Sequence, residues 1–461
     1  MSIVASRYLR GTPRLFMLLA SSFCFYWTLG ARALPLLAAV VAASWVGGRL
    51  VSGRHGTHLL AVGVLLTLLP LLYAKYVPWL LVVGGSGDWW YTTDLDGRAI
   101  PPGLSFVSLQ ALGYVVDVHR RRVVPSPTIV HHAIFLAFFP QLVAGPIERA
   151  GELQPQLTTP HRPTPADYYS ALKLLLWGYV MKLVLADALA GPVEQLLRLP
   201  KTEAPAGLLL ALCMFSARIY LDFYAYSCIA VALGGLHGVR LTMNFANPYG
   251  ASSLASFWHR WHVSLSSWWR DYVYISLGGR RLGWVRETAA VLAVFTLSGL
   301  WHGAGVGFLM WGVWHGCGLL LERAGSRWMR FSGCRIGTSA QYVVTKLRIL
   351  VVGAVVGVGW IPFLATGERP FPELVRRIAT ATSEFDGTGV HLGALLVTYR
   401  WEMLLAVGGV TLAHRMERWY WRRDLTSRMS LITDVALTNA FSVALLLFGS
   451  FGARSFIYFA F

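Results

Sequence analysis

Residues 257–281 read FWHRWHVSLSSWWRDYVYISLGGRR, and residues 297–323 read LSGLWHGAGVGFLMWGVWHGCGLLLER. From about residue 288 to residue 321 the chain has no Asp, Glu, Lys or Arg, and a helix of roughly 20 apolar residues crosses a bilayer. The sequence therefore predicts that His302 and His315 lie at membrane depth. An ionisable side chain is costly there and generally faces a polar cavity or a partner, which makes both histidines candidate functional residues.

The composition excludes an ordinary soluble domain. Of the 461 residues, 55% are hydrophobic and 13% are charged. Charge-poor stretches of membrane length recur along the chain and predict an all-α polytopic membrane protein with about 9 to 12 spanning or half-spanning helices. The formal net charge of +18 is that of many nucleic-acid-binding proteins. Here the arginines flank apolar segments, which indicates contact with the anionic surface of a lipid bilayer and no nucleic-acid partner.

The chain is predicted to form one transmembrane domain over residues 1–461, with a catalytic core at about residues 100–325. A polar insert at residues 366–389 reads TGERPFPELVRRIATATSEFDGTG. Its pattern is typical of an amphipathic helix at a bilayer surface, with apolar and basic residues on different helical faces. The apolar face would hold Leu374, Val375 and Ile378, and the other face Arg376 and Arg377.

Two histidine segments could carry chemistry. His259 and His262 are three residues apart, so a continuous helix would place them on one side together with Ser266. A fixed histidine can remove the proton of an acceptor hydroxyl, while a second polar group positions an acyl carbonyl. The glycines after His302 would permit a narrow tunnel. In a regular helix His302 and His315 point to nearly opposite faces, so they share a site only if those glycines break the helix.

Structural roles remain open for several of these residues. A buried histidine among tryptophans can simply bond a neighbouring carbonyl, which is the preferred interpretation of His315. Zinc needs three or four converging ligands, and the HRWH spacing differs from a helical zinc motif, so no metal is predicted. Arg270 and Asp271 form a paired charge at a helix end or steer the phosphates of an anionic donor. One aromatic group is interpreted as an interfacial belt, with substrate stacking as the alternative: Trp258, Trp261, Trp268, Trp269, Tyr272 and Tyr274.

The chain resembles the membrane-bound O-acyltransferase superfamily, in particular its bacterial alginate O-acetyltransferase-like branch. The most specific motif is RWH-x-SLS-x-W-x-RD followed by LWHGA. The resemblance covers nearly the whole chain, and the blocks that carry it lie at residues 104–120, 138–157, 178–190, 244–281, 297–305 and 456–461.

The resemblance implies that His302 is the catalytic histidine and that His262 is a second histidine lining a tunnel. His259 stands where the family often has Arg or Asn, so it receives no catalytic role. The remaining substrate or tunnel candidates are Trp301, Gly303, Ser266, Arg270, Asp271 and Trp261. The implied fold is a ring of tilted helices around a thin centre, with a funnel that joins the two membrane faces.

The implied activity is transfer of an acyl group, most simply acetyl from cytoplasmic acetyl-CoA, to an extracytoplasmic polysaccharide. Acetyl-CoA would be a substrate, and no bound cofactor is expected. The expected location is the bacterial cytoplasmic membrane, and the expected partner is an extracytoplasmic protein resembling an SGNH hydrolase or a polysaccharide secretion complex. The block LDFYAYSCIAVALG at residues 221–234 departs from the family pattern at Tyr224, Ala225 and Cys228, which leaves substrate choice less defined than activity.

Three other functions compete with this one. The first is transfer of D-alanine from a carrier protein to teichoic acid, with similar histidine motifs. The second is a transporter or flippase in which the histidines relay protons; the absence of a visible internal repeat disfavours it. The third is an assembly subunit of a polysaccharide secretion complex without activity of its own.

Overall fold

A computed structural model of the protein describes residues 2–30, 33–86, 100–199, 204–331, 338–365, 371–376, 388–420, 431–452 and 456–457. Within these ranges the regular structure is helical, apart from one isolated antiparallel bridge between Phe245 and Trp261. The all-α class predicted from composition is confirmed. The α-helices are Ser2–Tyr8, Gly11–Thr28, Leu34–Ser52, Gly56–Ser86, Leu104–His119, Ile129–Ala137, Ala150–Thr158, Pro165–Tyr179, Ala190–Leu197, Ala204–Leu236, Leu254–Arg260, Val263–Trp269, Trp284–His302, Val306–Phe331, Thr338–Gly359, Ile361–Leu364, Thr388–Thr398, Arg400–Tyr420 and Leu431–Phe448.

Five of the described helices are long and apolar enough to cross a bilayer, at Leu34–Ser52, Gly56–Gly85, Pro165–Leu197, Ala206–Leu236 and Ala340–Gly359. A sixth crossing is available to the pair Leu392–Thr398 and Arg400–Arg418, which is bent by 73°. Full crossings are thus fewer than the predicted 9 to 12 spanning or half-spanning helices. Several charge-poor stretches instead form shorter helices such as Leu104–His119 and Val435–Phe448.

The described residues pack as two compact units. The first is drawn from residues 1–85, 93–175 and 226–244, and the second from residues 86–92, 176–225 and 245–461. In the first unit, helices Leu34–Ser52 and Leu104–His119 pack closely at Gly48. Only glycine fits there, because an added Cβ would lie 2.5 Å from the Tyr114 ring. The prediction of a single transmembrane domain with a core at residues 100–325 stays a prediction.

The second unit contains an antiparallel helical hairpin formed by Trp284–His302 and Val306–Phe331. Its close packing depends on glycine: a Cβ at Gly299 would lie 2.1 Å from the carbonyl oxygen of Phe308, and one at Gly312 would lie 2.3 Å from that of Phe295. The stretch predicted to cross the membrane at residues 288–321 is therefore two helices joined by a turn.

Replacing Gly312 by alanine is expected to separate this hairpin, because the new methyl group would overlap backbone that cannot rotate away. Overpacking of this kind costs about 1–3 kcal/mol. Gly325 lies on the same helix, and a methyl group there meets no described atom within 4 Å. We therefore expect Gly312→Ala to lower the thermal unfolding temperature in detergent and Gly325→Ala to leave it unchanged. Equal temperatures for the two variants would contradict this packing.

The polar insert predicted at residues 366–389 is described only at residues 371–376 and 388–389. Phe371 and Leu374 are buried, whereas Val375 is 42% exposed. An exposed apolar side chain is compatible with a bilayer surface, so the interfacial helix stays a prediction. Arg377 and Ile378 lie outside the described residues.

Candidate active site

A cavity of about 370 Å³ lies in the second unit. Both histidines that the motifs single out, His262 and His302, line it. The walls come from the segments Leu254–Arg260 and Val263–Trp269 and from the two helices of the hairpin. We refer to it as the histidine cavity. The structure thus brings these two histidines together, and their catalytic roles stay a prediction.

His302 is held at the end of its helix by aromatic rings. Helix Trp284–His302 ends there because Gly303 is extended, with φ −158° and ψ 146°. His302 is only 7% exposed. Three rings fix the imidazole through edge contacts, with centroid distances of 4.9 Å to Trp301, 5.0 Å to Trp311 and 5.4 Å to Phe363. These three contacts fix the orientation of the His302 imidazole in the cavity wall.

Ser298 lines the same cavity one helical turn before His302. Its side chain is buried, and the sequence interpretation missed it. The available signal was its position four residues before a candidate catalytic histidine on a helix. A hydroxyl there can donate a hydrogen bond to a substrate oxygen.

His262 lies between two short helices, in the left-handed region of backbone conformation with φ 46° and ψ 57°. The prediction that His259, His262 and Ser266 share one continuous helix is therefore wrong. Trp261 makes the last bond of the first short helix, from its backbone N–H to the carbonyl oxygen of Phe257 at 2.8 Å, and pairs with Phe245 in the antiparallel bridge where that helix ends. A left-handed non-glycine residue costs about 1–3 kcal/mol and tends to occur at functional sites.

The break separates the surroundings of the two histidines. His262 is 1% exposed and meets the edge of Phe223 at a centroid distance of 4.7 Å. His259 is exposed, and its Nδ1 lies 2.6 Å from the carbonyl oxygen of Ala255. Ser266 lines the cavity and donates its hydroxyl to the carbonyl oxygen of Trp261 at 3.1 Å. His259 also lines the histidine cavity, and the assignment of no catalytic role to it stays a prediction.

The other predicted tunnel residues divide into two groups. Trp261 and Arg270 line the cavity, as Ser266 does. Trp301 stands behind the lining, with its ring 6.4 Å from that of His262 and 4.9 Å from that of His302. At Gly303 a Cβ would lie 2.1 Å from the Phe308 ring, so protein fills the space that the sequence interpretation reserved for substrate.

Asp271 stands outside the lining and pairs with Arg270, whose Nε lies 2.8 Å from Oδ1 of Asp271. The prediction of a charge pair at this helix end is met. Of these two residues only Arg270 lines the cavity, so Asp271 is not positioned to contact a substrate directly.

His315 contacts the same Trp311 ring as His302. Its centroid lies 5.0 Å from Trp311 and 4.8 Å from Trp258, while His302 lies 5.0 Å from the same Trp311. The glycines do break the helix, yet His315 is absent from the described lining of the cavity. Within the described part of the chain neither of its ring nitrogens has a hydrogen-bond partner. The hydrogen bond to a neighbouring carbonyl that the sequence interpretation expected for His315 is therefore not found among the described residues.

Three arginines line the cavity on its solvent side: Arg270, Arg280 and Arg323. We call them the basic rim. Arg323 Nη1 lies 2.8 Å and Arg280 Nε 3.5 Å from Oε1 of Glu287, and a further arginine, Arg327, lies 3.6 Å from Oε2. One carboxylate thus faces three arginines, which leaves the rim positively charged. The sequence interpretation assigned arginines that flank apolar segments to the lipid surface and did not predict this cluster.

The aromatic cluster of residues 258–274 is largely buried, so its interpretation as an interfacial belt is wrong. Trp261 and Trp268 are each 2% exposed, and Trp269 and Tyr272 are each 8% exposed. An interfacial belt would present these rings to lipid. Several of them line the histidine cavity instead, namely Trp258, Trp261, Trp269 and Tyr274.

The second unit also contains a buried ion cluster that the sequence interpretation overlooked. Lys182 Nζ lies 2.9 Å from Asp187 and 2.7 Å from Asp222, and all three side chains are at most 5% exposed. The backbone N–H of Ile457 donates to Asp222 at 2.7 Å, and Lys182 lies 4.5 Å from the centroid of the Phe456 ring. The signal was present in the sequence as charged residues inside apolar stretches.

Across the described ranges, no three side chains from His, Cys, Asp and Glu converge as a metal site requires. His302 and His315 flank Trp311, while His259 faces solvent. The four histidines of residues 257–323 therefore do not meet at one point.

Comparison with known proteins identifies related sequences. A family model described as the membrane-bound O-acyltransferase family matches residues 117–351. A probable alginate O-acetylase AlgI of Pseudomonas aeruginosa is 32% identical over 414 residues, which covers 85% of this chain and 76% of the relative. A peptidoglycan O-acetyltransferase of Helicobacter pylori is 28% identical and covers 68% of this chain and 65% of its own. A teichoic acid D-alanyltransferase of Streptococcus thermophilus is 28% identical, covering 50% and 57%.

Proposed function

Because the chain belongs to the membrane-bound O-acyltransferase family, and within it to the alginate O-acetylase-like branch, we propose a specific reaction for this multi-pass O-acyltransferase. It moves an acetyl group from a cytoplasmic thioester donor across the bacterial cytoplasmic membrane, for O-acetylation of an extracytoplasmic polysaccharide. The observation that carries the proposal is the meeting of His262 and His302 in one cavity. The probable alginate O-acetylases among its relatives favour acetyl as the group transferred.

His302 acts as the general base in the proposed reaction. Its imidazole accepts the proton of an acceptor hydroxyl while the hydroxyl oxygen attacks the thioester carbonyl carbon. The tetrahedral intermediate then collapses, the C–S bond breaks, and the leaving thiolate takes the proton from the imidazolium. The acetyl group ends as an ester on the acceptor oxygen, and the donor leaves as a free thiol.

His262 orients the donor or the acceptor. Its backbone conformation and ring contacts hold the imidazole in place before substrate binds. A polar group that is positioned in advance stabilises the charge that develops in the transition state. The apolar walls exclude water, which would otherwise compete with the acceptor for the acetyl group. Trp301 supports both rings from behind, with contacts to His262 and His302.

The basic rim supports acetyl-CoA as the donor. Coenzyme A carries several phosphate groups, and arginine binds phosphate through paired, charge-assisted hydrogen bonds. With its phosphates at Arg270, Arg280 and Arg323, the donor would extend its thioester arm into the apolar cavity toward the histidines. The acceptor hydroxyl would belong to an extracytoplasmic partner resembling an SGNH hydrolase, which passes the acetyl group on to the polysaccharide.

Replacing Arg323 by glutamine is expected to raise the KM for acetyl-CoA about tenfold, the equivalent of one charge-assisted hydrogen bond, with kcat nearly unchanged. The effect should shrink at high salt because the rim is partly exposed. Arg198→Gln serves as the control, since Arg198 is exposed, pairs with the exposed Glu194 and is not among the residues that line the cavity. Steady-state kinetics at two ionic strengths measure both variants. A change in kcat with unchanged KM would show that the basic rim does not bind the donor.

The experiment that tests the function uses purified protein in nanodiscs with either labelled acetyl-CoA or a labelled D-alanyl carrier protein. Acetyl release or transfer from acetyl-CoA, with none from the D-alanyl carrier, is the expected result. Turnover of the D-alanyl carrier alone would replace the proposal with teichoic acid D-alanylation. Solute flux without covalent turnover would indicate a transporter, and no turnover with the partner protein and polysaccharide supplied would indicate an assembly subunit.

A further inference from the structure

A second cavity, of about 470 Å³, lies in the first unit. Two short connections form it: residues 51–57, between helices Leu34–Ser52 and Gly56–Ser86, and residues 118–125, after helix Leu104–His119. We call it the surface cavity. It has no part in the reaction proposed above, which takes place in the second unit.

The surface cavity is basic. Its lining includes Arg54, His119, Arg121 and Arg122, and no Asp or Glu is among the described lining residues. Arg122 has a carboxylate 3.7 Å away, on the nearly buried Asp117. Within the described part of the chain, the guanidinium groups of Arg54 and Arg121 have no hydrogen-bond or ion-pair partner. The cavity therefore offers two uncompensated arginines to an anion.

The backbone around the cavity is built to hold these arginines. Arg121 has a left-handed backbone with φ 56°, a conformation that costs free energy in a residue other than glycine. Gly56 closes the other connection: a Cβ there would lie 2.0 Å from the carbonyl oxygen of Val51. Helix Gly56–Ser86 begins at the cavity, so the positive end of its dipole lies beside the space.

The position of the cavity indicates an occupant that belongs to the membrane surface. Leu34–Ser52 and Gly56–Gly85 are both candidate crossings, and only residues 53–55 join them. A connection that short must lie where the two helices leave the hydrocarbon core, at the depth of lipid phosphates. An arginine at this depth meets anionic headgroups.

Exposed apolar side chains follow on the helix that begins at the cavity. Val62, Leu65 and Leu69 follow one another along one face of helix Gly56–Ser86 and are 45%, 55% and 47% exposed. Val124, which lines the cavity, is 82% exposed. A molecule with its anionic group among the arginines can lay an acyl chain along this face. We propose that the surface cavity binds the phosphate-bearing headgroup of an anionic phospholipid.

The test measures lipid binding by the full-length protein in detergent. Native mass spectrometry and thermal unfolding would follow added phosphatidylglycerol, phosphatidylcholine and inorganic phosphate. The double variant Arg54→Gln, Arg121→Gln removes the two uncompensated charges. Its matched control, Arg162→Gln with Arg240→Gln, removes the same charge from exposed positions of the first unit. We expect phosphatidylglycerol to bind wild type and control alike and the cavity variant at least tenfold more weakly.

Each other outcome would overturn the assignment. Equal loss in both double variants would mean that net charge alone attracts the lipid. Binding of phosphatidylcholine as tight as that of phosphatidylglycerol would remove the requirement for an anionic headgroup. Inorganic phosphate that protects as well as the lipid would assign the cavity to a soluble phosphate compound. Because acyl transfer is not the readout, these outcomes are independent of the proposed function.

Discussion

Replacing His302 by alanine is expected to lower acetyl transfer by a factor of about 10² to 10⁴, the usual contribution of a general base. The protein should still fold, because the imidazole lies at a helix end and its neighbours Trp301, Trp311 and Phe363 also pack on other rings. Transfer of label from acetyl-CoA by protein in nanodiscs measures the loss. Unchanged transfer in a folded His302→Ala protein would show that His302 is not the general base.

The matched control is His315→Leu. This residue is also a buried histidine in contact with Trp311, but it stands outside the described lining of the histidine cavity. Removing ring nitrogens that have no hydrogen-bond partner among the described residues relieves a desolvation cost, which is about 1–3 kcal/mol for an unsatisfied buried group. We expect near-normal transfer and equal or greater thermal stability. A loss of transfer as large as that of His302→Ala would assign His315 to the reaction.

Replacing Lys182 by methionine is expected to destabilise the second unit by about 3–5 kcal/mol, the cost of leaving buried charge without its partner. Asp187 and Asp222 would then lose the lysine that both contact, although Ile457 still donates to Asp222. Thermal unfolding in detergent measures the change, together with the yield of folded protein. Wild-type stability in Lys182→Met would show that the cluster contributes little to folding.

Two further variants test the electrostatic origin of that loss. Lys173→Met changes a partly exposed lysine that lies over the Tyr169 ring, and it should be nearly neutral. Combining Lys182→Met with Asp187→Asn and Asp222→Asn removes all three charges and should recover much of the lost stability, since neutral side chains avoid the desolvation of unpaired charge. If the triple variant were as unstable as the single one, packing rather than charge would explain the effect.

Much of the architecture follows from the sequence because it depends on local composition. Charge-poor stretches of membrane length predict helices, and the described chain is all-α. The placement of His262 and His302 in one cavity was implied by the family motifs. The break at Trp261 was not predictable from spacing, because it depends on pairing with Phe245, a contact between residues distant in the chain.

The charged contacts were missed for the same reason. Glu287 pairs with Arg280, from the short segment before its helix, and with Arg323, from the second helix of the hairpin. These contacts exist only once the hairpin has formed. Lys182 and Asp222 lie on separate helical segments, and nothing in either segment alone shows that they pair. Helical period and hydrophobicity predict elements, whereas sites of this kind arise where elements meet.

The left-handed backbone of His262 also governs which substitutions can be interpreted there. Alanine at this position would remove the imidazole and also fit poorly in a conformation that favours glycine and asparagine. In a library of all replacements at residue 262, glycine and asparagine should therefore be the most abundant among folded proteins, whatever their activity. Asparagine keeps a polar side chain and accepts the backbone, so its catalytic defect would report on the imidazole alone. Mutational tolerance at this one position thus separates what the fold requires from what the chemistry requires.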